Sequence, residues 1–160
     1  MKATGIRSLY ETDYYTWTQE TARLLRSGRL DEIDREALAE EVEDLGKSEK
    51  RALASQFKRL HAHLLKWSFT RKSGHENSWK ASIEDSRSEI EKLLSENPGL
   101  KSQVNEIFTT TYRGGILLAV AESDQPENVF PKSCPWTLEE VLSLQFFPDF
   151  KRSPRKGLSL

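Results

Sequence analysis

From Asp34 to about Phe69 the apolar positions Leu38, Val42, Leu45, Ala52 or Leu53, Phe57, Leu60, Leu64 and Trp67 recur at steps of three and four. That is the spacing of one helix face. The stretch therefore predicts one long amphipathic helix. Asp34 is its N-cap, and Ile33 is placed to staple onto Leu38. Gly46 is the weak point: as a C-cap it would end one helix and Ser48 would start another, and within a helix it costs about 1 kcal/mol relative to Ala. The apolar steps stay in phase across it, which predicts a continuous helix.

The same reading places a first helix from Thr12 or Asp13 to Gly28, with Tyr14, Trp17, Thr21, Leu24 and Leu25 on one face. Arg23 and Arg26 suit its last turn, and Gly28 is its stop. Residues 1–11 read as a frayed lead-in. The short connection to the long helix predicts an antiparallel pair. A polar loop after Phe69 leads to a third helix capped by Asn77 or Ser78. Its inner face is Trp79, Ile83, Ser86 or Arg87, Ile90 and Leu93 or Leu94. Asn97-Pro98-Gly99 ends it, with Pro98 in the first turn of a fourth helix. That helix carries Leu100, Val104, Ile107, Phe108, Thr111, Leu118 and Ala121 inward and ends near Ser123 or Asp124.

Gly114-Gly115 inside the fourth helix costs about 2 kcal/mol of propensity. Close helix packing or a kink accounts for such a pair, and backbone approach to a ligand is the alternative. From Gln125 onward the chain is irregular and rich in proline and aromatic residues, with one short helix from Leu138 to about Leu144 opened by the Thr137/Glu140 capping box. The expected architecture is all-α: a bundle of about four main helices around one long central helix, plus that short C-terminal helix. Residues 1–150 form one domain in this reading, and 151–160 a disordered basic tail.

Composition adjusts the picture in three ways. A hydrophobic fraction of 36% beside 31% charged residues suits solvated helices better than a sandwich or barrel. A formal net charge of −1 makes wholesale nucleic-acid binding an unlikely role. The single cysteine, Cys134, excludes an internal disulfide and any CxxC metal site, and with no apolar run long enough to span a membrane it predicts a cytoplasmic protein.

Charge is divided along the long helix. Between Asp31 and Gly46 stand eight acidic residues against Arg35, whereas from Lys47 to Lys72 eight basic residues face Glu49 alone. The helix dipole explains such a bias only at the ends. An antiparallel homodimer, acidic half on basic half, would use it, and solvated faces are the plain alternative. The carboxylates Glu40, Glu43 and Asp44 are the candidate metal ligands, since Glu36/Glu40 and Glu40/Asp44 are spaced i, i+4. No cofactor is expected, and a divalent metal is the one candidate. His61 and His63 point to nearly opposite sides of the helix and do not form the i, i+4 pair of helical zinc sites. His63 is the histidine expected in the core, with His61 at its edge.

Glu49, Gln56 and His63 make a polar line within the apolar face, for which Arg87 and Tyr112-Arg113 are natural partners in register-fixing ion pairs or in an anion pocket. The candidate functional cluster is Glu41, Glu49, His63, Arg87 and Tyr112. No catalytic residue is assigned. The sequence contains no G-x-S-x-G, P-loop, G-x-G-x-x-G or nucleophile with an evident base.

The ordered series YETDYYTWTQETARLLRSGRLDEID, EEVEDLGKSEKRAL, HAHLLKW, SWKASIEDSRSEI, Tyr112-Arg113 and FPKSCPWTLEEVL resembles the bacterial domain-of-unknown-function family twenty-nine over roughly residues 9 to 148. The resemblance implies an all-helical domain and transfers no catalytic residue. Gly114-Gly115 departs from the family pattern, which has helix formers there. Three readings of function follow: an interaction or regulatory module, as a homodimer or bound to a protein partner; a metal-dependent or acid–base enzyme using Glu40 to Asp44 with His63; and a nucleic-acid-associated protein.

Overall fold

Helices α1 (Ala3–Thr12), α2 (Tyr14–Arg26), α3 (Arg35–Phe69), α4 (Glu76–Glu96), α5 (Val104–Ser123) and α6 (Leu138–Leu142) account for nearly all the regular structure in a computed structural model of the chain. It describes residues 3–70 and 74–151. The basic tail expected at 151–160 lies, beyond Lys151, outside the described residues, as do Arg71 and Lys72 of the basic half. The fold class is the expected all-α one, with no strand among the described residues. The chain divides into two compact units, Met1–Ser48 and Glu49–Leu160.

In the first unit the expected lead-in is instead a helix. Ile6, Leu9 and Tyr10, at steps of three and four, give α1 an apolar face. Ile6 is buried with Trp17, Leu24, Ile33 and Ala37. Asp13 then caps α2, one carboxylate oxygen accepting from the Thr16 N–H at 3.0 Å and the other from the Thr16 hydroxyl at 2.6 Å. Gly28, at φ 72°, adopts the left-handed turn beyond the helix end. Asp34 accepts from the Ala37 N–H at 3.2 Å and starts α3 as the sequence predicts. Tyr14 at the start of α2 reaches Glu41 in the second turn of α3, while Leu24 near the end of α2 is buried with Ala37 in the first, so the two helices run in opposite senses.

The helix α3 is continuous through Gly46, with 35 residues. Its apolar face is not uniformly covered. Leu53, Phe57, Leu60 and Leu64 are fully buried, while Val42 and Leu45, on the same predicted stripe, are 59% and 69% exposed. Periodicity marks a face; it does not say that anything covers it.

In the second unit that face packs against Ile83 and Ile90 of α4, Ile107 and Ile116 of α5, and Phe130, Trp136 and Val141 of the irregular C-terminal segment. Burial of a large apolar side chain of this kind contributes about 1.5–3 kcal/mol. The expected capping box is present: Glu140 N–H donates to Thr137 Oγ1 and Thr137 N–H to the Glu140 carboxylate. The helix it opens ends at Leu142 rather than Leu144.

Three boundaries or faces differ from expectation. α4 begins at Glu76, with His75 rather than Asn77 or Ser78 at the N-cap, and the His75 ring stacks on Trp79 with centroids 5.7 Å apart. Ring stacking there replaces a polar cap. Pro98 opens a separate 3-10 turn, Pro98–Gln103, ahead of α5. Finally, the buried face of α5 is Val104, Ile107, Tyr112, Gly115, Ile116 and Ala119; Leu118 packs against the core as expected, whereas Thr111 is only half-buried and Ala121 is exposed. Gly115 lies where this face meets α3. A Cβ on it would lie 2.5 Å from His61 Cβ and 3.2 Å from the Lys58 carbonyl oxygen, so α5 approaches the α3 backbone where only glycine fits. The glycine pair therefore serves close helix packing.

Candidate functional site

Two regions of the described chain bring polar chemistry to apolar surface, one in each unit. In the first unit, α2 and the first turns of α3 enclose a groove of about 220 Å³ whose walls include Trp17, Leu25, Leu38, Glu41, Val42 and Leu45. The helical spacing of Leu38, Val42 and Leu45 sets one wall, and the capped start of α2 fixes the other. Glu41 is the polar anchor. Its Oε1 accepts from the Tyr10 hydroxyl at 2.8 Å and its Oε2 from the Tyr14 hydroxyl at 2.6 Å. The first of these bonds, helped by desolvation, pushes the Tyr10 phenol up to about 12. Tyr10, Tyr14 and Trp17 form a ring cluster, with Tyr10 and Trp17 centroids 4.8 Å apart. Trp17 Nε1 and Thr21 Oγ1 are buried without a hydrogen-bond partner.

The remaining members of the sequence-derived cluster belong to the second unit, and each has a different neighbour. Glu49 accepts from Asn97 Nδ2 at 3.4 Å. The Arg87 guanidinium donates from Nε to the Val141 carbonyl at 2.8 Å and from Nη2 to the Phe146 carbonyl at 2.7 Å, and lies 5.3 Å from the centre of the Phe147 ring. The Tyr112 hydroxyl donates to the Pro131 carbonyl at 2.8 Å, and burial raises its pKa. Arg87 and Tyr112 thus hold the C-terminal segment onto the helices through backbone carbonyls. They do not ion-pair with the Glu49, Gln56 and His63 line. Arg113 pairs instead with Glu127.

Both histidines are interior, and the assignment of His61 to the edge is corrected. His61 is 0% exposed and His63 8%. His61 Nε2 donates to the Phe108 carbonyl at 2.9 Å, which leaves Nδ1 as the unprotonated nitrogen. The close approach at Gly115 explains why His61 is enclosed. Burial holds both imidazoles down near pKa 4, and for His63 the neighbouring Lys66 charge adds to it. Lys66 is a residue that periodicity missed: its ammonium is buried, pairs with Glu122 at 2.6 Å and lies 5.5 Å from the Trp79 ring centre. A Lys on the apolar side of a long helix was the available signal.

Glu40, Glu43 and Asp44 are exposed. Lys47 lies 3.1 Å from Asp44 and 3.8 Å from Glu43. Among the described residues no three His, Cys, Asp or Glu side chains are grouped as metal ligands would be. Cys134 is half-buried, its thiol pushed up by burial and directed to the Trp136 carbonyl, as a structural cysteine would be. No helix among the described residues is long and apolar enough to cross a membrane.

Fold and site together define an all-helical domain with an acidic-rimmed apolar groove and a core clamped by buried cations. The family model described as Domain of unknown function DUF29 matches residues 9–147, and the chain belongs to that family. No curated protein and no solved structure matches it.

Proposed function

We propose that the chain is a non-enzymatic protein-interaction module whose first-unit groove receives one amphipathic helix carrying basic side chains. The observation behind this reading is the exposure of Val42 and Leu45, 59% and 69%, on the wall of a preformed groove. Large aliphatic side chains left together at a concave surface mark helix-in-groove docking. The charge of the occupant follows from the rim. Residues 1–48 carry seven basic against eleven acidic side chains, and Glu40 and Asp44 lie close enough to Tyr10 and Tyr14 to raise their phenols. A basic helix is steered to such a rim and an acidic one repelled.

A dimer built by laying acidic half on basic half is less well supported. Arg59 is engaged with Asp85, Lys66 with Glu122, and the Lys58 stem lies under Gly114. Much of the basic half thus already has a role inside its own unit.

The test is fluorescence anisotropy of a labelled Leu/Lys peptide with helical heptad spacing, titrated with the full chain at low and raised salt. Saturable binding that weakens with salt is expected. In the double variant Val42→Glu, Leu45→Glu it should fall at least about tenfold. Equal binding by the variant, or equal binding of a Leu/Glu peptide, contradicts the proposal. Dimerisation abolished by the same substitutions would assign the groove to a second copy instead.

A further inference from the structure

Arg87 carries an unusual burden for a buried cation. It is 2% exposed, and the acceptors of its two hydrogen bonds are neutral carbonyls, Val141 O and Phe146 O. A guanidinium has five N–H donors. Nη1 is buried and has no acceptor among the described residues. Among the described residues no carboxylate lies within ion-pair distance of it; the acidic influence on it, from Glu84, is electrostatic only. Buried cations ordinarily have an anion beside them, because desolvation is otherwise uncompensated.

Arg87 also forms part of the wall of a cavity of about 510 Å³ in the second unit. Ile90, Leu94, Leu142 and Leu144 supply its apolar lining, and Lys101 and Glu91 stand at it as well. The volume falls within the range of small-molecule sites, about 300–1,000 Å³, in which an apolar wall with a few polar groups is usual. The charged residues of this wall are Arg87, Lys101 and Glu91, one positive charge in excess. A monoanion balances it.

The geometry points to a binding site for a small carboxylic acid with an aliphatic body, its carboxylate beside Lys101 at the part of the wall that Arg87 forms and its chain along Ile90, Leu94, Leu142 and Leu144. The buried Arg87 charge, which has only neutral acceptors, attracts a carboxylate there through space. Leu144 is 58% exposed at this wall, which leaves apolar surface for a chain to cover. Because Arg87 also grips the residues around α6, an acid bound there would reinforce the attachment of the C-terminal segment. The site is independent of the first-unit groove.

Octanoate is the probe, titrated calorimetrically into the full chain, with octanol and acetate as comparisons that keep only the chain or only the charge. Octanoate should bind with one-to-one stoichiometry, and octanol and acetate at least about tenfold more weakly. Lys101→Glu and Leu144→Asp alter exposed positions and leave the fold intact by circular dichroism. Each should weaken octanoate at least about fivefold, while binding of the Leu/Lys peptide to the first unit stays unchanged. Absence of octanoate binding by the folded chain, equal binding of octanol, or octanoate binding indifferent to both substitutions overturns the assignment.

Discussion

Gly115 of α5 faces His61 of α3 so closely that a methyl group on the glycine would come 2.5 Å from the histidine Cβ. The neighbouring Gly114 is different: a Cβ there would meet Lys58 Cδ at 3.3 Å, the middle of a flexible side chain. Gly115→Ala should therefore destabilise the chain by about 1–3 kcal/mol, overpacking outweighing the gain in helix propensity. Gly114→Ala should be neutral or stabilise by up to about 1 kcal/mol. Urea denaturation of the two variants checks this, and a stabilised Gly115→Ala would contradict the packing account.

The interior histidines make stability depend on pH. In the unfolded chain each titrates near 6.5, and in the native chain near 4. Between those values the unfolded state binds the additional proton, so stability is lost as pH falls from about 6.5 to about 4. Each histidine contributes on the order of 3 kcal/mol to that loss. His63 faces Lys66 and Arg59, which oppose its protonation, and Glu122, which favours it. Replacing it with Gln should flatten the dependence of the urea midpoint on pH in this window. An unchanged slope would remove His63 from the account.

Lys66 and Glu122 are unequal partners, since the lysine side chain is 4% exposed and the glutamate 40%. Glu122→Gln leaves a buried ammonium without its anion and should cost about 1–3 kcal/mol, less than for a fully buried pair because Glu122 meets solvent. Lys66→Met removes the charge, keeps the stem against Trp79 and should cost about 1 kcal/mol or less. Chemical denaturation giving the opposite order would show that the ion pair itself, and not the cost of an unpaired ammonium, sets the energy.

Glu41 holds two phenols at once. Absorbance titration of tyrosine ionisation should show Tyr10 ionising near 12, and Glu41→Gln should bring it back toward the ordinary 10. Tyr10→Phe identifies the transition. A titration unaffected by Glu41→Gln would mean that the carboxylate is not the acceptor.

Much of the fold can be read from the residues. The steps of three and four carry α3 through Gly46, and the Asp13, Asp34 and Thr137 caps are local chemistry that tertiary packing had no cause to override. α1 was missed because three apolar positions, Ile6, Leu9 and Tyr10, are a weak pattern until Trp17 and Leu24 are there to bury them. The inward face of α5 depends on how near two backbones come at Gly115, which no one-dimensional period encodes. His61 and His63 exchanged prominence for the same reason. Of the candidate cluster, Arg87 and Tyr112 are buried hydrogen-bonding groups, each with its own partner. Their partners were not legible, because backbone carbonyls of the C-terminal segment leave no mark in the side-chain pattern. The groove was hidden for a related reason: Val42 and Leu45 look like core in the sequence, and only the fold leaves them uncovered.

The docking claim is tested most directly by amide and methyl chemical-shift mapping of the full chain with the Leu/Lys peptide. The account predicts shifts concentrated on α2 and on residues 35–45, with Leu25, Val42 and Leu45 methyls the most affected. Shifts centred on the second unit, or none on saturation, would contradict it.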